Sequence, residues 1–314
     1  MTSQREAWVA ELIELAGRDD RVLVLDGDLG TSTRASDFAA IHPGQFLQMG
    51  VAEQNLVGIA AGMASLGAVP WVATFGVFLT QRALDQVRML VAQTGANVKF
   101  AGHYTGLLNG GSGKTHQDIE DLAILRAMPG MTVIVPADGA ETRAAVRWAA
   151  EHTGPVYLRL ARDSEKEVDT GGVLQPDHLV ELRHGKDVTV ISTGVQTART
   201  VAALDLLADR GVSARHLHAA FLKPLSERTV VDAVGEATEV VTVEEHSVRG
   251  GLGGLVAEAV ASTGRPIRVT RVGLADTWSE SAPNDFLLDR YGLSPERVAE
   301  RIQAAVGSPL GAAT

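Results

Sequence analysis

The chain has 314 residues, no cysteine, 45% apolar and 21% charged residues, and a formal net charge of −10. That length and apolar content suffice for two cored domains, and an acidic balance without a basic tract argues against nucleic acid or an anionic membrane as a partner. Lack of cysteine removes disulfides, thiolate metal sites and a cysteine nucleophile together, so chemistry falls to His, Glu, Asp or a bound cofactor. The amino end reads as an amphipathic pattern rather than a leader, and no apolar run approaches membrane-spanning length, so a cytoplasmic protein is expected.

Residues 4–16 repeat apolar side chains at helical spacing and lead into the apolar run 22–25, which ends at Asp26-Gly27-Asp28-Leu29-Gly30; a helix, a buried strand and a loop are predicted. Gly50-Val51-Ala52-Glu53-Gln54-Asn55 then opens a run in which Leu56, Ile59, Ala60 and Met63 keep the 3.6-residue period. This predicts a half-buried helix with Glu53 at its start and Gly50 supplying the turn before it. Taken alone, Glu53 is an acid that complements the helix dipole; its apolar neighbours also make it a partly desolvated carboxylate. Further strands are predicted at 69–74, 98–101, 132–135 and 156–160, separated by helical patterns such as 81–92 and 139–151. Strands alternating with helices indicate a doubly wound, mostly parallel sheet.

A polar stretch with Gly171-Gly172, Pro176 and Gly185 reads as a linker over 166–186. A second alternation follows, with strands at 188–192, 214–218, 239–243 and 267–272 and helices at 197–209 and after Gly253. The predicted organisation is therefore two doubly wound α/β domains, 1–165 and 187–308, of ordinary domain size, with a tail at 309–314. Gly110 to Thr115 lacks the glycine spacing of a phosphate-binding P-loop. The run Gly250-Gly251-Leu252-Gly253-Gly254 suits either phosphate binding at a helix start or tight strand-to-helix packing.

Several stretches read together in order: Val51-Ala52-Glu53-Gln54-Asn55, Thr74-Phe75-Gly76-Val77-Phe78 leading to Arg82-Ala83-Leu84-Asp85-Gln86, and Gly113-Lys114-Thr115-His116-Gln117. Leu125-Arg126-Ala127-Met128-Pro129, Pro136-Ala137-Asp138 and Gly154-Pro155-Val156-Tyr157-Leu158-Arg159 follow. With these motifs the chain resembles the carboxy-terminal half of transketolase from Arg5 to about Arg301, and Glu244-Glu245-His246 resembles the final domain of that family. The resemblance implies a thiamine diphosphate enzyme in which one domain grips the diphosphate through Mg²⁺ and another receives the aminopyrimidine ring. The metal-binding Gly-Asp-Gly followed by Asn is not found here, so the chain looks like a split subunit carrying the pyrimidine-binding and C-terminal domains. Its expected partner is an amino-terminal subunit that holds the diphosphate and most of the Mg²⁺, in an α₂β₂ heterotetramer acting on a phosphosugar donor.

By the same resemblance Glu53 is the carboxylate that bonds the pyrimidine N1′ and promotes the imino tautomer. Phe75 and Phe78 line the ring's pocket, with Phe78 stacking, and Gln81, Asp28 and Leu29 complete the expected cofactor wall. Arg5, Ser32 and Arg162 fall where the family surrounds the substrate phosphate, suited to charge-assisted bonds. His116 aligns with a histidine at the sugar hydroxyls. Ser112 stands in place of a donor-binding aspartate, and Tyr104 where a phosphate-contacting histidine is common, with His103 able to serve if the loop shifts by one. The cofactor side matches and the substrate side differs, which points to a changed donor or acceptor, including a carrier-bound one. Two other readings stay open: the β subunit of a 2-oxoacid dehydrogenase, and a catalytically silent assembly partner.

Overall fold

The computed structural model describes residues 2–162, 166–172 and 174–307, so the expected tail at 309–314 and the boundary at residue 165 lie outside the described residues. The first domain runs α1 (Gln4–Ala16), β1 (Val22–Asp26), α2 (Gly30–Thr33), α3 (Ala35–Ile41), β2 (Phe46–Gln48), α4 (Glu53–Ser65), β3 (Val69–Phe75), α5 (Leu84–Gln86), β4 (Lys99–His103), α6 (Asp121–Ala127), β5 (Thr132–Ile134), α7 (Gly139–Glu151) and β6 (Val156–Leu160). The second runs β7 (Val180–Arg183), β8 (Val188–Ser192), α8 (Gln196–Ala208), β9 (Ala214–His218), β10 (Phe221–Lys223), α9 (Glu227–Val234), β11 (Glu239–Ser247), α10 (Leu252–Ala261), β12 (Arg268–Leu274), α11 (Asn284–Arg290) and α12 (Pro295–Gly307). No helix among the described residues is long and apolar enough to cross a membrane.

Local chemistry sets the boundaries. Ser3 and Glu6 form a reciprocal capping box that starts α1, and Asp138 accepts the Glu141 amide to start α7. The two helices pack together through buried Trp8, Leu12 and Val146, while Glu11 on α1 pairs with Arg147 on α7 at 2.8 Å. β3, β4 and β6 are buried along their whole length, as strands covered by helices on both faces must be.

The first sheet has the order β10-β5-β6-β4-β3-β1-β2 and the second β12-β11-β8-β9-β7. Each is parallel except at one edge, where β10 runs against β5 and β7 against β9. Mostly parallel sheets are what the sequence reading expects, and the two edge strands add what it lacks. Val180 to Arg183 lies inside the stretch expected to be a linker, yet it pairs with β9; its exposed edge position explains why its composition reads as polar. β10 comes from the second half of the chain and completes the first domain's sheet. One continuous apolar cluster accordingly runs from Leu25, Leu56 and Val72 through Leu125 and Val133 to Leu217, Leu222 and Leu255.

The helix expected over 81–92 is also corrected. Residues Phe78–Arg82 and Val87–Ala92 form π-helical turns on either side of α5, closed by bonds five residues apart from the Ala83 amide to the Phe78 carbonyl and from Gln93 to Arg88. One extra residue per turn widens the helix locally, a distortion frequent at functional sites.

Candidate active site

Strands β1, β3, β4 and β6 run parallel, so the loops after β1, β3, β4 and β6 open at one edge, where doubly wound sheets collect ligands. Asp28, Leu29 and Ser32 follow β1, Phe75 ends β3, Tyr104 follows β4 and Arg162 follows β6. Glu53 reaches this edge as the first residue of α4, after Gly50 turns the chain at φ +70. Its side chain is 1% exposed.

Among the described residues the Glu53 carboxylate bonds only to Arg82, whose Nη1 donates to Oε1 at 2.9 Å and to Oε2 at 2.8 Å. The same guanidinium lies over the Phe78 ring, 4.1 Å from its centroid. This corner therefore fits a flat nitrogen-bearing group that is hydrogen-bonded at one edge and stacked on one face, the shape of an aminopyrimidine. Sequence reasoning quoted Arg82 as part of a motif and gave it no role.

From Phe78 the wall continues as a strip of rings. Phe75 stacks on Phe78 at 5.6 Å and on Tyr104 at 4.3 Å, and the half-buried His116 stands edge-on to both Phe75 and Phe78. At its far end Arg5 Nη1 donates to the Tyr104 hydroxyl at 3.0 Å and to the Ser32 carbonyl at 2.7 Å. The Arg5 and Arg162 guanidinium groups each lie 5.6 Å from the Tyr104 ring centroid. Because the Tyr104 oxygen accepts from Arg5, its own proton points elsewhere. Two cations and a hydroxyl donor give this end the chemistry that suits an anion.

Tyr104 adopts φ +60, a costly conformation for an aromatic residue of the kind concentrated at functional sites. That turn aims Tyr104 at the strip and leaves His103 on the other side. The expectation that His103 contacts substrate is corrected: its ring is fully buried edge-on against Trp8. Burial, with Arg5 nearby, pushes it down to about 3, so it is neutral, and among the described residues neither ring nitrogen has a hydrogen-bond partner. Of the other expected residues, Gln81 is exposed and donates to Glu120 at 3.2 Å, away from the rings, because the π turn points it outward. Ser112 is exposed and bonds Asn109 at 3.1 Å. Leu29 is half-buried, and Asp28 is exposed in a left-handed turn, φ +66. The glycine run at 250–254 resolves to packing: Glu244 already takes the Leu252 and Gly253 amides at 2.7 and 2.8 Å, and a Cβ on Gly251 would meet that carboxylate at 2.0 Å.

A second polar region, absent from the sequence reading, seals the joint between the domains. Glu245 accepts the Leu107 amide at 2.7 Å and Arg199 at 2.8 Å. Arg159 donates to Asp121 at 2.7 Å and to the Glu245 carbonyl at 3.1 Å, and Tyr157 also donates to Asp121. Behind the π turn, Thr80 donates to Asp118 at 2.7 Å; burial, reinforced by Asp121, pushes the Asp118 carboxyl up to about 8. On the other flank a chain of bonds runs Glu141–His218–Thr197–Ser192–His216, with contacts of 2.9, 2.9, 3.0 and 2.7 Å. The pairing Asp118/Asp121 was visible as two acids three residues apart, but nothing local distinguishes them from a solvated helix start.

A doubly wound domain with polar and aromatic side chains along its strand ends, joined to a smaller α/β domain through a shared sheet edge, is the two-domain α/β architecture of the chain. Residues 2–166 match the pyrimidine-binding domain of transketolase and residues 177–298 its C-terminal domain. A putative transketolase C-terminal section from Methanocaldococcus jannaschii is 39% identical, covering 95% of this chain and 94% of that protein. A 6-deoxy-6-sulfo-D-fructose transketolase subunit from Clostridium sp. (strain MSTE9) is 38% identical, covering 94% and 91%. Among solved structures, a split gene transketolase described as an inactive β4 tetramer superposes with a TM-score of 0.89 at 42% identity, covering 98% of this chain and 99% of that one. The chain belongs to the transketolase family, as the C-terminal section that in such relatives is a separate subunit.

Proposed function

We propose that this chain is the pyrimidine-side subunit of a split, thiamine diphosphate-dependent transketolase that moves a two-carbon ketol unit from a ketose phosphate to an aldehyde. A second chain would hold the diphosphate and Mg²⁺, and two copies of each would make an α₂β₂ enzyme in the cytoplasm. The observation that carries the reading is the single wall on which the buried Glu53, the Phe78 and Phe75 rings, His116 and the Arg5–Tyr104 anion site follow one another. The relative described as an inactive β4 tetramer supports the need for a partner.

When bound, thiamine diphosphate supplies a carbanion at the thiazolium C2. Everything else falls to this chain and its partner. Glu53 would hold a proton at the pyrimidine ring nitrogen, where burial keeps water from competing for it. Phe78 would fix the plane of the ring. His116, edge-on to Phe75 and Phe78, stands where it can bond the hydroxyls next to the reacting carbon, and Arg5, Arg162 and the Tyr104 hydroxyl would bind the donor's terminal anion.

A second reading concerns the donor. Ser112 replaces the usual aspartate, and a 38% identical relative is named for a sulfonated ketose; cations and O–H donors can bond the oxygens of a sulfonate as well as those of a phosphate. The test is to mix the purified chain with its metal-binding partner, thiamine diphosphate and Mg²⁺, and to screen ketose phosphates, sulfonated ketoses and hydroxypyruvate against several aldehydes. Ketol transfer that needs both chains is expected. Full turnover by this chain alone would overturn the split-subunit reading, and acyl transfer to a lipoyl carrier would favour a 2-oxoacid dehydrogenase instead.

A further inference from the structure

Glu53 and Phe78 are the two side chains to which the proposed function assigns the aminopyrimidine ring, one at its edge and one at its face. Both contacts are already made, and by one group. Arg82 bonds both carboxylate oxygens of Glu53, at 2.9 and 2.8 Å, and lies 4.1 Å above the Phe78 centroid. A guanidinium is planar and delocalised, donates in its plane and stacks through its face; it offers the corner the same combination of edge donors and flat surface that an aminopyrimidine does.

We propose that Arg82 is an internal stand-in for the aminopyrimidine: it occupies the ring's place in the chain by itself and must swing out when the ring enters. The inference rests on the reading of Glu53 and Phe78 as the ring's site.

Three features make the exchange feasible. The Arg82 side chain is 45% exposed while that of Glu53 is fully buried, so the cation enters from the solvent side and can leave the same way. The backbone is held independently of the head group, since Gln54 donates to the Arg82 carbonyl at 3.1 Å and the Ala83 amide closes the π turn on Phe78. Side-chain rotation alone therefore clears the corner.

The stand-in has two effects. It keeps a buried carboxylate paired while no ligand is present, avoiding the cost of an uncompensated buried charge. It also makes the ring compete with a tethered group, so the pyrimidine alone binds poorly and loading depends on the diphosphate contacts that a second chain brings. Empty subunits are thereby guarded against thiamine and other flat amino-heterocycles that lack the diphosphate.

The test is titration of the full chain with thiamine and with 2-methyl-4-aminopyrimidine, followed by ligand-observed NMR and calorimetry. Arg82→Ala should bind both probes about ten-fold more tightly than wild type, the size expected for removing a cation–π and ion-pair competitor. Methylguanidinium should compete with the probes in the variant and have little effect on the wild type. Arg82→Gln, which keeps a polar side chain beside Glu53, should show the same sign if the alanine variant folds poorly. Equal affinity in wild type and both variants, binding in none of them, or weaker binding in the variants overturns the proposal. Glu53→Gln and Phe78→Ala separate the two levels. If these substitutions weaken probe binding but the Arg82 variants do not strengthen it, the ring's site stands and the stand-in falls. If the Arg82 gain survives both substitutions, the ring binds elsewhere and the underlying reading falls with it.

Discussion

Glu53 and Glu245 are nearly equal in burial, 1% and 2% exposed, and differ in what surrounds them. Glu245 lies in the joint between the domains and is held by a backbone amide and by an arginine that is itself buried, 7% exposed. Glu53 lies on the strand-end wall and is held by one arginine whose side chain is nearly half in solvent. The same contrast separates His218, locked between Glu141 and Thr197, from His116, half-buried against two rings. Burial by itself does not tell the two regions apart; the exposure of the partner does. The joint holds its carboxylate with buried partners, whereas the wall holds its own with an arginine that reaches solvent.

This contrast can be broken most sharply at the joint. Glu245→Ala takes the carboxylate from Arg199, which keeps its bond to Gln196, and from the buried Leu107 and Leu108 amides, and a stability loss of about 3–5 kcal/mol is expected in denaturant unfolding. A loss below about 1 kcal/mol would erase the distinction between the two regions. Glu53→Gln should do the reverse, leaving the unfolding midpoint close to wild type while the reconstituted enzyme slows by two or more orders of magnitude, about 3 kcal/mol of barrier. Deuterium exchange at the thiazolium C2 reads this directly; exchange at the wild-type rate would reduce Glu53 to a helix-start acid.

At the anion end, Arg5→Ala should raise KM for phosphorylated donors by roughly 10- to 100-fold, the loss of a charged hydrogen bond worth about 1.5–3 kcal/mol, while hydroxypyruvate is used almost unchanged. Equal losses with both donors would make Arg5 a support for Tyr104 and Ser32 instead. The smallest effect is a gain. Asp118 titrates near 8 in the folded chain against an ordinary value of 3.8. A raised carboxyl disfavours folding above its unfolded value, so its penalty grows as pH rises from about 4 towards 8 and is absent below. Asp118→Asn keeps the Thr80 bond and removes the charge; a stabilisation that grows as pH rises from about 4 towards 8 and is absent at pH 4 is expected, read from thermal melts across that range.

Much of this was legible in the residues. Ser3 and Glu6 fix the start of α1, the apolar period after Gly50 puts Glu53 at a helix start, and the uninterrupted apolar runs mark the inner strands. What escaped has physical reasons. A π turn changes the residue count by one, which a 3.6-residue period cannot register over so short a stretch, so the outward turn of Gln81 and the meeting of Arg82 with Glu53 were hidden together. Three-residue β10 is too short to show alternation. His103 and Tyr104 are adjacent, and only the end of β4 and the left-handed turn after it decide which one faces the wall. The joint escaped because its partners lie as far apart in sequence as Leu107 and Glu245, or Glu141 and His218.

The pairing of β10 with β5 bears on how such a chain can be inherited. Phe221 to Lys223 closes the edge of a sheet whose other strands were laid down before residue 161. Cut between its two halves, the chain would present β5 as a naked template for any passing strand, and the apolar surface continuous from Leu25 to Leu255 would be split with it. The halves are thus not interchangeable cassettes. Exchanging one for a homologous counterpart would require the donor to match both the three-residue strand and the surface beneath it, which ties the two stretches to a common evolutionary history.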